Sequence, residues 1–131
     1  MLNLRLSSRP DTAGLVRAVL GGIATPFALR PELLGDLKTV VSEACNNAVE
    51  HAYRDDHGSV HLAVDEDGSS LRATIRDRGR WRDRHVDGDR GRGILIMESL
   101  MTFAEIRESP GGTDVVLERR LSGVDVGPVP R

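Results

Sequence analysis

Apolar and polar residues alternate from the start of the chain. Leu2, Leu4 and Leu6 are separated by Asn3 and Arg5, the period of a strand with one buried face. Pro10-Asp11-Thr12 breaks that period and can open a helix. Leu15, Val16, Val19, Leu20 and Ile23 then recur at helical spacing, and Gly21-Gly22 and Pro26 end the pattern. Pro31-Glu32 opens a second helix, since proline costs nothing in a first turn. Leu33, Leu34, Leu37, Val40, Val41, Ala44, Cys45 and Ala48 give it one broad apolar face, and the pattern runs to about Tyr53.

Two alternating runs follow, Val60-Leu62-Val64 and Leu71-Ala73-Ile75, joined by the turn signal Asp65-Glu66-Asp67-Gly68; together they predict a hairpin. Arg76 to Arg92 is charged, carries Gly79, Gly88 and Gly91, and has almost no apolar residue, which reads as a functional loop or lid. Ile94 to Met101 returns to helical character. Phe103 to Arg107 and Val115 to Leu117 read as strands around the turn Ser109-Pro110-Gly111-Gly112. The predicted order is β-α-α-β-β-loop-α-β-β. It implies a two-layer α/β (α+β) sandwich, with a mostly antiparallel mixed sheet and helices on one face. Residues 1–121 form the expected domain, and 122–131, with its Pro and Gly, reads as a tail or linker.

Composition narrows the function. The 131 residues suit one domain, and Lys+Arg 18 against Asp+Glu 20 gives a net charge of -2, which argues against a broad nucleic-acid surface. The few aromatics (Phe27, Tyr53, Trp81, Phe103) make no platform for stacked bases. No apolar run is long enough for a membrane span, and the N-terminus lacks the apolar core of a secretory signal. Cys45 is the single cysteine, so neither a disulfide framework nor a multi-cysteine zinc site is available, and a cytoplasmic location is expected. His57, His61 and His85 are too scattered for a metal site.

Candidate chemistry sits at four places. Glu43, Asn47 and His51 fall at i, i+4 and i+8 on the second helix, along and within the edge of its apolar face. A carboxylate that accepts a proton and a neutral amide oxygen can serve a hydrated Mg²⁺, although the same spacing suits an ordinary amphipathic border. Asp77-Arg78-Gly79 ends a strand, where Asp can accept from an exocyclic amine and Gly allows close approach, or where both simply make a turn. Gly91-Arg92-Gly93 opens a helix and can present backbone N–H groups to an anion. Gly111-Gly112-Thr113 leads into the last strand. No Walker A loop or dinucleotide fingerprint is present.

In this order the motifs resemble a known family. Leu37 to Tyr53 resembles the N-box of the GHKL ATPases, the Bergerat ATP-binding fold, and within them the anti-sigma factor serine kinases of the RsbW type. Asp77 to Gly79 resembles the first glycine box, Gly91 to Met101 the second with its helix, and Gly112-Thr113 the closing threonine motif. The resemblance spans roughly residues 2 to 121.

The resemblance implies an ATP- and Mg²⁺-dependent serine protein kinase that binds a sigma factor and phosphorylates a STAS-type antagonist, usually as a dimer, in transcriptional stress regulation. It implies Glu43 as general base and Asn47 as Mg²⁺ ligand. Asp77 would read the adenine amino group, with Gly79 against the base and Thr113 completing the pocket. Gly91 and Gly93 would bring N–H groups to the phosphates. Arg17, on the first helix, aligns with an arginine of the family's partner surface. The chain departs from the pattern at Arg80-Trp81, where the first glycine box usually continues to a second glycine, and in a short lid of 13 residues between Asp77 and Gly91. These departures suit the alternative of a non-catalytic regulatory module, possibly one domain of a larger regulator, that binds ATP or sequesters a partner.

Overall fold

A computed structural model describes residues 2–7, 9, 11–22, 27, 29–48, 58–78 and 88–122. Its elements are β1 (Leu2–Ser7), α1 (Thr12–Gly21), α2 (Pro31–Asn47), β2 (Ser59–Glu66), β3 (Ser70–Asp77), α3 (Gly88–Leu100), β4 (Phe103–Ser109) and β5 (Gly112–Arg120). The order of elements is the one that the apolar periods predict. His51, the expected end of the second helix near Tyr53, the centre of the polar loop and the tail lie outside the described residues.

The strands form one sheet in the order β1-β2-β3-β5-β4, and all four pairings are antiparallel. The chain leaves β3, passes through α3 to the edge strand β4, and returns as β5 into the gap between β3 and β4. This return sets the end of β3 beside the start of β5, with Asp77 opposite Thr113.

Alternation decides the two faces. Leu71, Ala73 and Ile75 of β3 are buried, and so are Val60, Leu62 and Val64 of β2. Arg72 and Arg76 point the other way and pair with Glu118 and Asp114 of β5 at 3.1 and 3.0 Å. Such exposed pairs add at most about 1 kcal/mol each. The β2–β3 turn closes as expected: Gly68 takes φ +94, and the Asp67 carboxylate accepts from the N–H groups of Ser69 and Ser70 at 2.9 and 2.8 Å. Those bonds hold Asp67 below the usual carboxylate range.

The helices cover one face. α2 is the centre of the core, with Val40, Val41, Ala44 and Cys45 fully buried. Burial pushes the Cys45 thiol up to about 12, so it stays protonated and packs as an apolar group. α1 is narrower than its apolar pattern suggests. Thr12, Val16 and Leu20 face inward on one i, i+4 row, while Leu15 is 52% exposed, because α1 packs against α2 along a single flank. Val16→Ala is therefore expected to cost about 2 kcal/mol, and Leu15→Ala less than about 0.5 kcal/mol. Denaturant midpoints of the two variants check this contrast.

α3 differs from expectation at its start. It begins at Gly88, inside the stretch read as loop, because residues 88–92 carry no apolar period to betray a helix. No helix among the described residues is long and apolar enough to cross a membrane.

Candidate functional site

The site has two ends, one built by helices and one by strands. At the helical end, Glu43 and Asn47 stand one turn apart on α2, as their spacing predicts. They meet the first turns of α3 at Gly93. A Cβ added to Gly93 would lie 3.0 Å from Glu43 Oε2 and 3.5 Å from Asn47 Nδ2. The glycine therefore lets the backbone of α3 approach both side chains directly. Gly91 also falls inside α3, two residues earlier. A helix leaves only its first four N–H groups free. Gly91 is the last of these, and Gly93 lies beyond them, where its missing side chain secures contact with α2.

Asn47 is 6% exposed, and its Nδ2 is buried without a hydrogen-bond partner among the described residues. A buried amide left unpaired costs roughly 1–3 kcal/mol, so it calls for an acceptor. A phosphate oxygen would accept from it. With the amide turned over, Oδ1 would offer the neutral oxygen that Mg²⁺ takes. The residues present thus fit a Mg²⁺–phosphate group. Among the described residues no three His, Cys, Asp or Glu side chains converge. Mg²⁺ in phosphoryl-transfer sites characteristically needs only one or two protein ligands beside the phosphates.

At the strand end, Asp77 and Thr113 are both buried, at 3% and 2% exposure, and are direct cross-strand partners. Asp77 continues the inward row Leu71-Ala73-Ile75, so its carboxylate sits on the helix-covered face where the apolar row ends. A polar pair there can accept from and donate to a ligand edge. Gly112 makes this pairing possible. Its φ is +141, and a Cβ on it would lie 2.0 Å from Asp77 O and 2.7 Å from Arg78 Cα. Sequence reasoning placed Gly112 in the motif but not this role; the Gly111-Gly112 doublet was the available signal. Gly79 lies outside the described residues.

Arg17 is exposed on α1, and its Nη1 donates to Ser42 Oγ at 3.3 Å. Ser42 is buried directly before Glu43, so the arginine of the expected partner surface leans towards the helix that carries the expected base.

The chain is similar to known proteins over most of its length. Residues 6–119 match the histidine kinase-like ATPase domain family. The chain is 31% identical to the serine-protein kinase RsbW of Bacillus velezensis, covering 93% of this chain and 86% of that protein. It is equally similar, at 31%, to the RsbW of Bacillus subtilis. It is 23% identical to an anti-sigma F factor of a Thermoanaerobacter species, over 95% of this chain. Among solved structures it is similar to the RsbU and RsbW domains of a Mycobacterium tuberculosis protein, with TM-score 0.72, 30% identity, and coverage of 91% of this chain and 31% of that one.

Proposed function

Because the chain belongs to the histidine kinase-like ATPases of the RsbW type, we propose that it is an ATP- and Mg²⁺-dependent protein serine kinase that binds a sigma factor and phosphorylates a serine of a STAS-type antagonist. The observation that carries this reading is the meeting of Glu43, Asn47 and Gly93, with Asn47 Nδ2 buried and without a hydrogen-bond partner among the described residues.

Each residue has a part. Asp77 and Thr113 bind the adenine edge, and Asp77 accepts from the exocyclic amine that guanine lacks at that position. Asn47 would hold Mg²⁺ beside the phosphates, and α3 would offer its free N–H groups, Gly91 among them, to phosphate oxygens. Mg²⁺–ATP supplies the electrophilic γ-phosphoryl group, whose charge the metal neutralises. Glu43 takes the proton of the serine hydroxyl as its oxygen bonds the γ-phosphorus and the bond to the β–γ bridging oxygen breaks, releasing ADP. Positioning supplies most of the catalysis, which suits a site built on a fully packed helix. The sigma-factor part of the reading is supported by the anti-sigma F relative, and in this scheme the exposed Arg17 would contact the partner. The protein acts as a homodimer in this scheme.

The short lid of 13 residues between Asp77 and Gly91 favours a second reading, a module that sequesters its partner without transferring phosphate. Calorimetric titration with ATP, with and without Mg²⁺, tests the shared premise. Wild type is expected to bind in a Mg²⁺-dependent way. Asn47→Ala is expected to weaken binding about 10- to 100-fold, the worth of a hydrogen bond to a charged group. Absence of binding by wild type sinks the kinase reading and leaves partner sequestration.

A further inference from the structure

At the end of α3 remote from Gly93, Met97 and Met101 pack into the core and one charged side chain adds a polar tie. Arg119 lies on β5 in step with Thr113, Val115 and Leu117, on the face that the helices cover. Its Nη1 donates to Leu100 O at 2.7 Å and to Asp36 Oδ2 at 3.0 Å. Leu100 is the last residue of α3, where carbonyls have no partner within the helix and a cation meets the negative end of the dipole. Asp36 is in the second turn of α2. One guanidinium therefore joins α2, α3 and β5. Next to it, Arg120 N donates to Thr102 Oγ1 at 2.9 Å and fixes the turn from α3 into β4.

These contacts give α3 two fixed points on α2. Gly93 rests against Glu43 and Asn47, and Leu100 is tied to Asp36 through Arg119. On each helix the two points are seven residues apart (93 to 100, and 36 to 43), roughly 10 Å along the axis. Equal spacing on both helices holds them alongside each other. Gly93 brings no side chain to interlock with α2, and the buried residue between the two points, Met97, packs through a flexible unbranched side chain, so the directional tie at Leu100 adds alignment. The pair Arg119–Asp36 is partly exposed, which makes it a weak source of overall stability. Its geometry instead suits alignment.

We infer that Arg119 is a positioning residue. By anchoring the C-terminal end of α3, it sets where the N-terminal turns stand relative to Glu43 and Asn47, and so sets the phosphate half of the site. The adenine half, on β3 and β5, does not depend on it. The inference rests on the reading of this site as one for ATP.

The test compares wild type, Arg119→Met, which keeps the apolar stem, and Asp36→Asn, which keeps the bond to Leu100. Each full chain is titrated with Mg²⁺–ATP and with adenosine, and amide hydrogen exchange is followed without nucleotide. Arg119→Met is expected to weaken ATP binding about tenfold and adenosine binding less than about twofold. Asp36→Asn is expected to fall between it and wild type. Exchange is expected to quicken in α3 while β3 and β5 hold. Equal weakening of ATP and adenosine overturns the inference in favour of a general structural role, and so does unchanged ATP binding. Should wild type bind no ATP, the nucleotide reading fails, and the exchange result alone decides whether Arg119 aligns α3.

Discussion

Glu43→Gln is expected to slow phosphoryl transfer to the antagonist serine by about a hundredfold to ten-thousandfold, the usual worth of a placed general base. ATP affinity should stay within about threefold, because a neutral amide of the same size makes no new clash. α2 is held firmly in place. Its inward side chains Val40, Val41, Ala44 and Cys45 are fully buried, so the helix cannot shift without opening the core. Glu43 rides on the border of that face, half-buried, with Oε2 against the backbone of α3 at Gly93. Gln fills the same place against that glycine but cannot accept the hydroxyl proton. The loss is bounded because phosphoryl transfer runs through a loose transition state, in which much of the acceleration comes from positioning. Single-turnover transfer of labelled phosphate to the antagonist measures it. Transfer by Glu43→Gln within about tenfold of wild type would remove Glu43 from the role of base.

The same α2 shows how far sequence can be read. Its apolar face was legible because eight apolar positions fall on one side, and the i, i+4 placing of Glu43 and Asn47 followed from that face. β2 and β3 were legible because one side of each is buried, as where Leu71, Ala73 and Ile75 alternate with exposed or half-buried neighbours, whereas β5 buries Val116 beside Val115 and Leu117. Three features were not legible. Leu15 matched the helical stripe but is exposed, because periodicity reports which residues could face a core, not how much core α1 touches. The start of α3 was hidden by its polar first turns, where contact with α2 through Gly93 replaces an apolar period. Arg119 looked like one charge among many, since its partners Asp36 and Leu100 are distant in sequence and meet only when β5 enters between β3 and β4.

That strand order also explains why the site has two separable ends. β5 carries Thr113 to Asp77 at one end and Arg119 to the foot of α3 at the other. A single strand thus frames the adenine contacts and aligns the phosphate contacts. Damage to its first residue should strike the adenine end while leaving the helical end in place.

Gly112→Ala makes that damage. The added Cβ would fall 2.0 Å from Asp77 O, 2.7 Å from Arg78 Cα and 2.9 Å from Asp77 C, all of them backbone atoms. No rotamer change relieves a clash with backbone, so β3 and β5 must part at the Asp77–Thr113 pair. The φ of +141 adds strain for any residue with a side chain. Together these are expected to cost on the order of 3–5 kcal/mol, in the exceptional range for a single substitution. For a domain of this size that lowers Tm by roughly 10 °C or more. Gly111→Ala is the control: a Cβ there meets only Ser109 Oγ, at 3.9 Å, an ordinary contact. It should move stability by less than about 0.5 kcal/mol. In the folded fraction of Gly112→Ala, adenosine binding should fail, because its two buried polar partners no longer face each other across the strands. Thermal unfolding and adenosine titration of both variants check this. A Gly112→Ala protein as stable as Gly111→Ala would mean that β3 and β5 do not approach this closely, and the paired Asp77 and Thr113 would lose their claim to the adenine edge.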